Sequence, residues 1–162
     1  MLDIRAATAA DVPTIFHFTQ QLAIFEKLPE AVTGTAAQLA LDLFGPRPLA
    51  EVVLATWAGE AVGFALFFPT YSTFLTRPGL HLEDLFVLPD YRGRGIGRAL
   101  LTHLGALAQA RGCGRLEWAV LDWNAGAIAF YERMGATVLP DWRICRVEGE
   151  ALNQLAIAPS TP

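Results

Sequence analysis

Apolar and polar positions alternate with period two in some stretches of the chain and recur every three to four residues in others. Leu2 to Ala6 reads as a short strand. Thr8-Ala-Ala-Asp11 resembles a capping box, opening a helix with Val12, Ile15, Phe16, Leu22 and Phe25 on its apolar side and Pro29 as its stop. Thr35-Ala-Ala-Gln38 opens a second, shorter helix that runs to about Phe44 and ends at Gly45-Pro46. Glu51–Trp57 and Ala61–Phe68 are β-rich on either side of Ala58-Gly59-Glu60, which predicts an antiparallel hairpin. Residues 72–79 read as a loop, and Leu80–Leu88 as a strand. Its alternation breaks at Leu85-Phe86-Val87, which predicts a bulge or burial on both faces. A glycine-rich loop follows, then a helix striped by Ile96, Leu100, Leu104, Leu107 and Ala108 and closed by Gly112 and Gly114. Arg115–Leu121 reads as a strand, Asn124 as the N-cap of a helix over about 125–134, and Gly135 as its close. Trp142–Val147 reads as a last strand, and the tail over 158–162 is expected to be disordered. The order implies one α/β domain over 1–157, with a mixed, mostly antiparallel central sheet flanked by helices.

Composition narrows the function. With 53% apolar and 17% charged residues among 162, disorder is excluded. A net charge of −4 argues against nucleic acid as a partner and favours a small cationic ligand. The densest apolar stretch, Ala61–Tyr71, contains Pro69 and is too short to span a membrane. Met1-Leu-Asp-Ile-Arg5 has no basic segment ahead of an apolar run, and Cys113 and Cys145 stand apart, so a reducing cytoplasm is expected. His17, His81 and His103 lack the spacing of metal ligands, so no metal is expected.

Against this acidic background Arg92, Arg94 and Arg98 crowd around Gly93, Gly95 and Gly97. Glycines between a strand and a helix let the backbone approach a ligand, and the helix N-terminus favours an anion such as a pyrophosphate. A ligand-free tight turn would use fewer of these residues. The loop is not a Walker loop, which needs G-x-x-x-x-G-K-[ST]. A dinucleotide fingerprint fails at Arg98, where its last glycine belongs. Glu117 stands near where a ribose-binding acid would, but an antiparallel hairpin does not begin a doubly wound sheet.

Arg92-x-x-Gly95-x-Gly97 resembles the acyl-CoA pyrophosphate signature of the GNAT acetyltransferases. Ile4-Arg5-Ala-Ala-Thr8-Ala-Ala-Asp11, Leu82-Glu83-Asp84-Leu-Phe86-Val87, Asp90-Tyr91-Arg92-Gly93, Trp123-Asn124, Phe130-Tyr131 and Gly135-Ala136 are similar to the spermidine/spermine and thialysine branch of that superfamily. The likeness covers residues 2–155. It implies the GNAT fold, with the central sheet splayed where acyl-CoA binds, and acetyl-CoA as co-substrate. The acceptor would be a small amine, and the assembly a homodimer.

The resemblance also implies roles. Tyr131, two helical turns beyond Asn124, would protonate the departing thiolate; core packing with Ala127, Phe130 and Met134 would equally explain its place on an apolar stripe. Glu83 would bind the cationic amine and draw its proton through water, whereas Asp84, its strand neighbour, is expected on the opposite face as a structural residue. The backbone of Leu85, Phe86 and Val87 would contact the pantetheine arm, and Arg92, Gly93, Arg94, Gly95, Ile96, Gly97 and Arg98 the pyrophosphate. Asn124 would touch the CoA arm or serve only as a cap. Phe25 and Glu26 would line the acceptor entrance. Transfer would be direct, since Cys113 has no neighbouring base to make it a nucleophile.

The loop Tyr71–Pro78 lacks the acid that polyamine-acetylating relatives carry and adds Arg77, and only Asp141 stands where relatives have paired acids. An amino acid with a terminal amine therefore competes with a polyamine. Acetylation of a protein N-terminus or a drug amine, or a CoA-binding sensor without turnover, are the other readings.

Overall fold

The computed structural model describes residues 1–157. The chain divides into two compact units, Met1–Trp123 and the segment from Asn124 onward. The expected tail over 158–162 lies outside the described residues.

The first unit holds a five-stranded sheet in the order β1 (Leu2–Ala6), β2 (Glu51–Trp57), β3 (Glu60–Ser72), β4 (Arg77–Val87), β5 (Arg115–Glu117). The first three pairings are antiparallel and the last, β4 with β5, is parallel. Three helices accompany the sheet: α1 (Val12–Phe25), α2 (Ala36–Phe44) and α3 (Ile96–Ala110). The parallel pair needs a crossover, and α3 supplies it.

The first capping box forms in full and the second only in half, because the Gln38 side chain donates to Asp42 Oδ1 at 2.9 Å rather than back to Thr35. Asp11 accepts from the Thr8 amide at 2.8 Å and also takes Arg5 bidentately at 2.8 Å, which ties β1 to the entry of α1. Thr35 Oγ1 accepts from the Gln38 amide at 3.1 Å. The β2–β3 turn places Ala58 at φ 53° and Gly59 at φ 92°, a two-residue turn whose twist matches the strands. Residues 72–79 are not one loop: β3 runs on to Ser72 and β4 starts at Arg77, leaving only Thr73–Thr76 between them.

One face of the sheet packs Val52, Leu54, Phe64 and Phe86 with Ile15 and Phe18 of α1 and Leu43 of α2. The other buries Val53, Ala65, Phe67, Leu80 and Leu82, on the side where α3 contributes Ile96, Leu100 and Leu104.

The sheet bulges where β4 changes face. Phe67 faces Leu82 but Leu66 faces Asp84, so Glu83 is the extra residue. Leu80 and Leu82 therefore look toward one face, and Asp84 and Phe86 toward the other. The break in alternation is a bulge as expected, two residues earlier than the apolar run suggested.

The second unit contains α4 (Ala125–Arg133) and α5 (Gly149–Ile157). Three expectations need correction. The strand at Arg115 stops at Glu117 rather than Leu121; Trp142–Val147 forms no strand; and α5 was not foreseen. Trp142-Arg-Ile-Cys-Arg-Val147 has the alternation of a strand, but a strand also needs a hydrogen-bonded neighbour, and among the described residues this segment has none.

Candidate active site

The glycine loop has the conformation that its composition asks for. Gly93 (φ 75°) and Gly95 (φ 81°) are left-handed, where an L-residue is strained by about 1–2 kcal/mol. A Cβ at either would meet nothing within 4 Å, so no neighbouring protein atom requires glycine there; the backbone conformation does, and the loop stays open to a ligand. Helix α3 begins at once: the Ala99 amide donates to Gly95 O at 3.0 Å. The amides of Ile96, Gly97 and Arg98 are left without an acceptor inside the helix. Three such amides at the positive end of a 15-residue helix fit a diphosphate. Ile96 itself is 1% exposed, so its side chain belongs to the core and only its amide is available.

The three arginines diverge rather than converge. Arg92 Nε donates to Val87 O at 3.0 Å, and its guanidinium lies 4.8 Å from the Phe25 ring and 5.7 Å from Phe86. Arg94 lies 5.6 Å from the Trp57 ring and 5.1 Å from Tyr91. Arg98 is exposed on the first turn of α3.

Beside this loop the sheet opens. The β4–β5 ladder joins only Gly79–His81 to Arg115–Glu117, so β4 beyond His81 has no partner on that edge among the described residues. The Leu88 amide donates to Val62 O at 2.9 Å, and by antiparallel alternation the polar groups of Leu85 and Val87 point away from β3. Phe86 is turned inward, and Val87 O already holds Arg92.

At the bulge Asp84 feels the charges of two other carboxylates. Asp84 is pushed up to about 6, first by burial and then by the charges of Glu83 and Glu26. Burial also raises Glu26, at the end of α1. Glu83 is exposed and lies 3.3 Å from His81 Nε2, while the His81 ring lies tilted against Phe68 at a centroid distance of 4.9 Å. A cation arriving near the bulge would be drawn by the charges of Asp84, Glu83 and Glu26, although among the described residues the three do not group closely enough to share one ion. Strict alternation had placed Asp84 on the far face, and the bulge at Glu83 is why that failed. The three successive apolar residues after it were the available signal.

Phe25, 43% exposed, directly precedes Glu26; the Arg92 guanidinium lies over its ring, and its ring centroid lies 6.3 Å from that of Trp123. In the second unit, Asn124 Oδ1 accepts from the Ala127 amide at 3.2 Å, a true N-cap. Tyr131, half-buried, is two turns along α4 on the same side, with its ring 5.4 Å from Phe130. Among the described residues no three of His, Cys, Asp or Glu group closely enough to hold a metal ion, and no helix is long and apolar enough to cross a membrane.

Comparisons with known proteins agree with this geometry. The model of the acetyltransferase (GNAT) family matches residues 20–136. L-ornithine N5-acetyltransferase NATA1 of Arabidopsis thaliana is 35% identical, over 94% of this chain and 86% of its own. Thialysine N-epsilon-acetyltransferase of Bos taurus is 37% identical, over 94% and 96%. Among solved structures, an integron cassette protein from the mobile metagenome of V. cholerae superposes with a TM-score of 0.81 at 25% identity, covering 97% of this chain and 98% of that one. The chain belongs to the GNAT family of acetyltransferases and is an N-acetyltransferase.

Proposed function

We propose that the protein acetylates the primary amine of a small cationic acceptor, a diamine, a polyamine or a thialysine-like amino acid, by direct transfer in a ternary complex. The carrying observation is the negative charge of Asp84 and Glu83 at the bulge where the β4 edge opens, with the charge of Glu26 acting on Asp84 as well. Acetyl-CoA supplies the acetyl group as a thioester; its C–S bond breaks as the acceptor nitrogen bonds to the acetyl carbon.

The protein's residues divide the remaining work. The amides of Gly93–Arg98 and the exposed Arg94 and Arg98 hold the pyrophosphate, and the outward groups of Leu85 and Val87 hold the pantetheine arm. An amine of pKa near 10.4 is neutral only at about 10⁻³ at pH 7. Asp84 and Glu26 stabilise its ammonium form, and Glu83 accepts its proton through water. Tyr131 donates a proton to the thiolate. Asn124 orders the start of α4, and Phe25 forms an apolar wall at the entrance. Relatives that act on thialysine and ornithine support an amine acceptor of this size.

We also propose a homodimer working in the cytoplasm. In the second unit Trp142 and Ile144 are 78% and 75% exposed, on a segment with strand alternation and no ladder, which a second copy would cover. Light scattering would give twice the chain mass, and Trp142→Asp would shift it to the monomer mass.

The first experiment is CoA release from acetyl-CoA over spermidine, spermine, putrescine, thialysine, lysine, ornithine and a peptide. Turnover with a small amine, and none with the peptide, is expected. Tyr131→Phe should lose turnover with acetyl-CoA affinity retained. An unchanged rate would remove Tyr131 from the mechanism. Acetyl-CoA binding with silence across the whole panel would overturn the reading.

A further inference from the structure

We propose that Lys27 is the carboxylate receptor of the acceptor site, and that the preferred acceptor is an amino acid acetylated on its side-chain amine rather than a diamine. This rests on the reading of the protein as a small-amine acetyltransferase.

Lys27 is the only lysine of the 162 residues, and it stands where the backbone would rather have glycine. Helix α1 ends in a Schellman closure: the Leu28 amide donates to Ala23 O at 2.8 Å and the Lys27 amide to Ile24 O at 3.1 Å. This puts Lys27 at φ 62°, in the left-handed region. Glycine closes helices in this way without strain. A long cationic side chain held in such a conformation points to a use for that side chain.

Its location says what the use is. The Lys27 ammonium lies 4.4 Å from the centroid of the Trp123 ring, Trp123 is 6.3 Å from Phe25, and the Arg92 guanidinium is 4.8 Å beyond Phe25. Two rings are thus flanked by a cation at each end. Glu26, directly before Lys27 in sequence, is close enough for its charge to act on Asp84. Yet among the described residues Lys27 forms no ion pair with any acid. Contact with a ring face anchors an ammonium while leaving it N–H donors to spend elsewhere. Arg92 is less available, since its Nε is committed to Val87 O.

The site therefore carries negative charge at the bulge and an unpaired positive charge at the end of α1. A diamine offers two cations and would meet repulsion at Lys27. An amino acid with a terminal amine matches both ends, its ammonium toward Glu83 and Asp84 and its carboxylate toward Lys27. Arg77, in the hairpin that begins β4, gives the polyamine no compensating acid.

The test compares kcat/KM for ornithine and putrescine, which differ by one carboxylate, and likewise for lysine and cadaverine. The native protein should favour each amino acid over its diamine by tenfold or more. Lys27→Met should abolish that preference by lowering the amino-acid rate while diamine turnover holds or rises, and Lys27→Arg should restore it. Lys27→Gly removes the side chain and relieves the strained φ; it should raise Tm and still lose the preference, so that misfolding is separated from lost recognition. A native preference for the diamines, or an equal fall for both acceptor types in Lys27→Met, would overturn the assignment while leaving amine acetylation in place. No CoA release with any of the four amines would overturn the parent reading along with it.

Discussion

Asp84→Asn should make the protein more stable at neutral pH and a poorer enzyme. Burial, with Glu83 and Glu26 adding to it, moves this carboxyl from 3.8 to about 6. At 1.36 kcal/mol per pKa unit the ionised form is penalised by up to ~3 kcal/mol in the folded state. The sign follows from proton counting. Below pH ~4 both states hold the proton and there is no penalty. Between pH ~4 and 6 the unfolded chain has released its proton and the folded chain has not, so native stability falls as pH rises. Above pH 6 the full penalty stands. Asparagine, of the same shape and uncharged, never incurs it. Urea unfolding of both proteins at pH 4, 5, 6 and 7.5 should therefore show a stability gap near zero at pH 4, widening to as much as ~3 kcal/mol at pH 7.5, with equal m-values. In parallel, kcat/KM for the acceptor should fall by tenfold or more, because the ammonium form loses a buried counter-charge. A variant that is less stable at pH 7.5, or a gap that does not change with pH, would refute the claim that Asp84 is held as a costly buried charge. A more stable variant with full activity would detach that charge from the acceptor.

Gly95→Ala should lower stability by about 1–2 kcal/mol through φ 81° alone, and should weaken acetyl-CoA binding, seen as a smaller rise in Tm on adding CoA. Asp11→Ala should cost about 1–2 kcal/mol, since it removes the capping box and a bidentate partner of the partly exposed Arg5. The Arg5 hydrogen bonds hold the Asp11 carboxyl well below the usual range, so its contribution is complete at neutral pH and fades as the pH falls below about 4; acid titration of the two proteins by circular dichroism checks this. Arg94→Ala should weaken CoA more than dephospho-CoA if the guanidinium seated between Trp57 and Tyr91 meets a terminal phosphate; direct binding measurements with both ligands decide it.

Local chemistry was legible in the sequence because it acts over a few residues. Thr8 and Thr35 mark helix starts, Ala58-Gly59 a tight turn, and Gly93 and Gly95 a loop that must go left-handed before α3; each rests on backbone preferences that no distant contact overrides here. Those segments, with the Arg92-x-x-Gly95-x-Gly97 resemblance, were enough for fold class and reaction class. What remained hidden depended on who pairs with whom. Whether Trp142–Val147 becomes a strand depends on a neighbouring edge, which alternation cannot supply. The side that Asp84 faces depends on a one-residue slip against Leu66, and a slip of one exchanges the two faces of a strand. Likewise the use of Lys27 rests on Trp123, 96 positions away in sequence and 4.4 Å away in space. The sequence by itself determined which residues can bind a phosphate or a cation; only the tertiary structure decided which of them meet, because charge and burial act through distance in space.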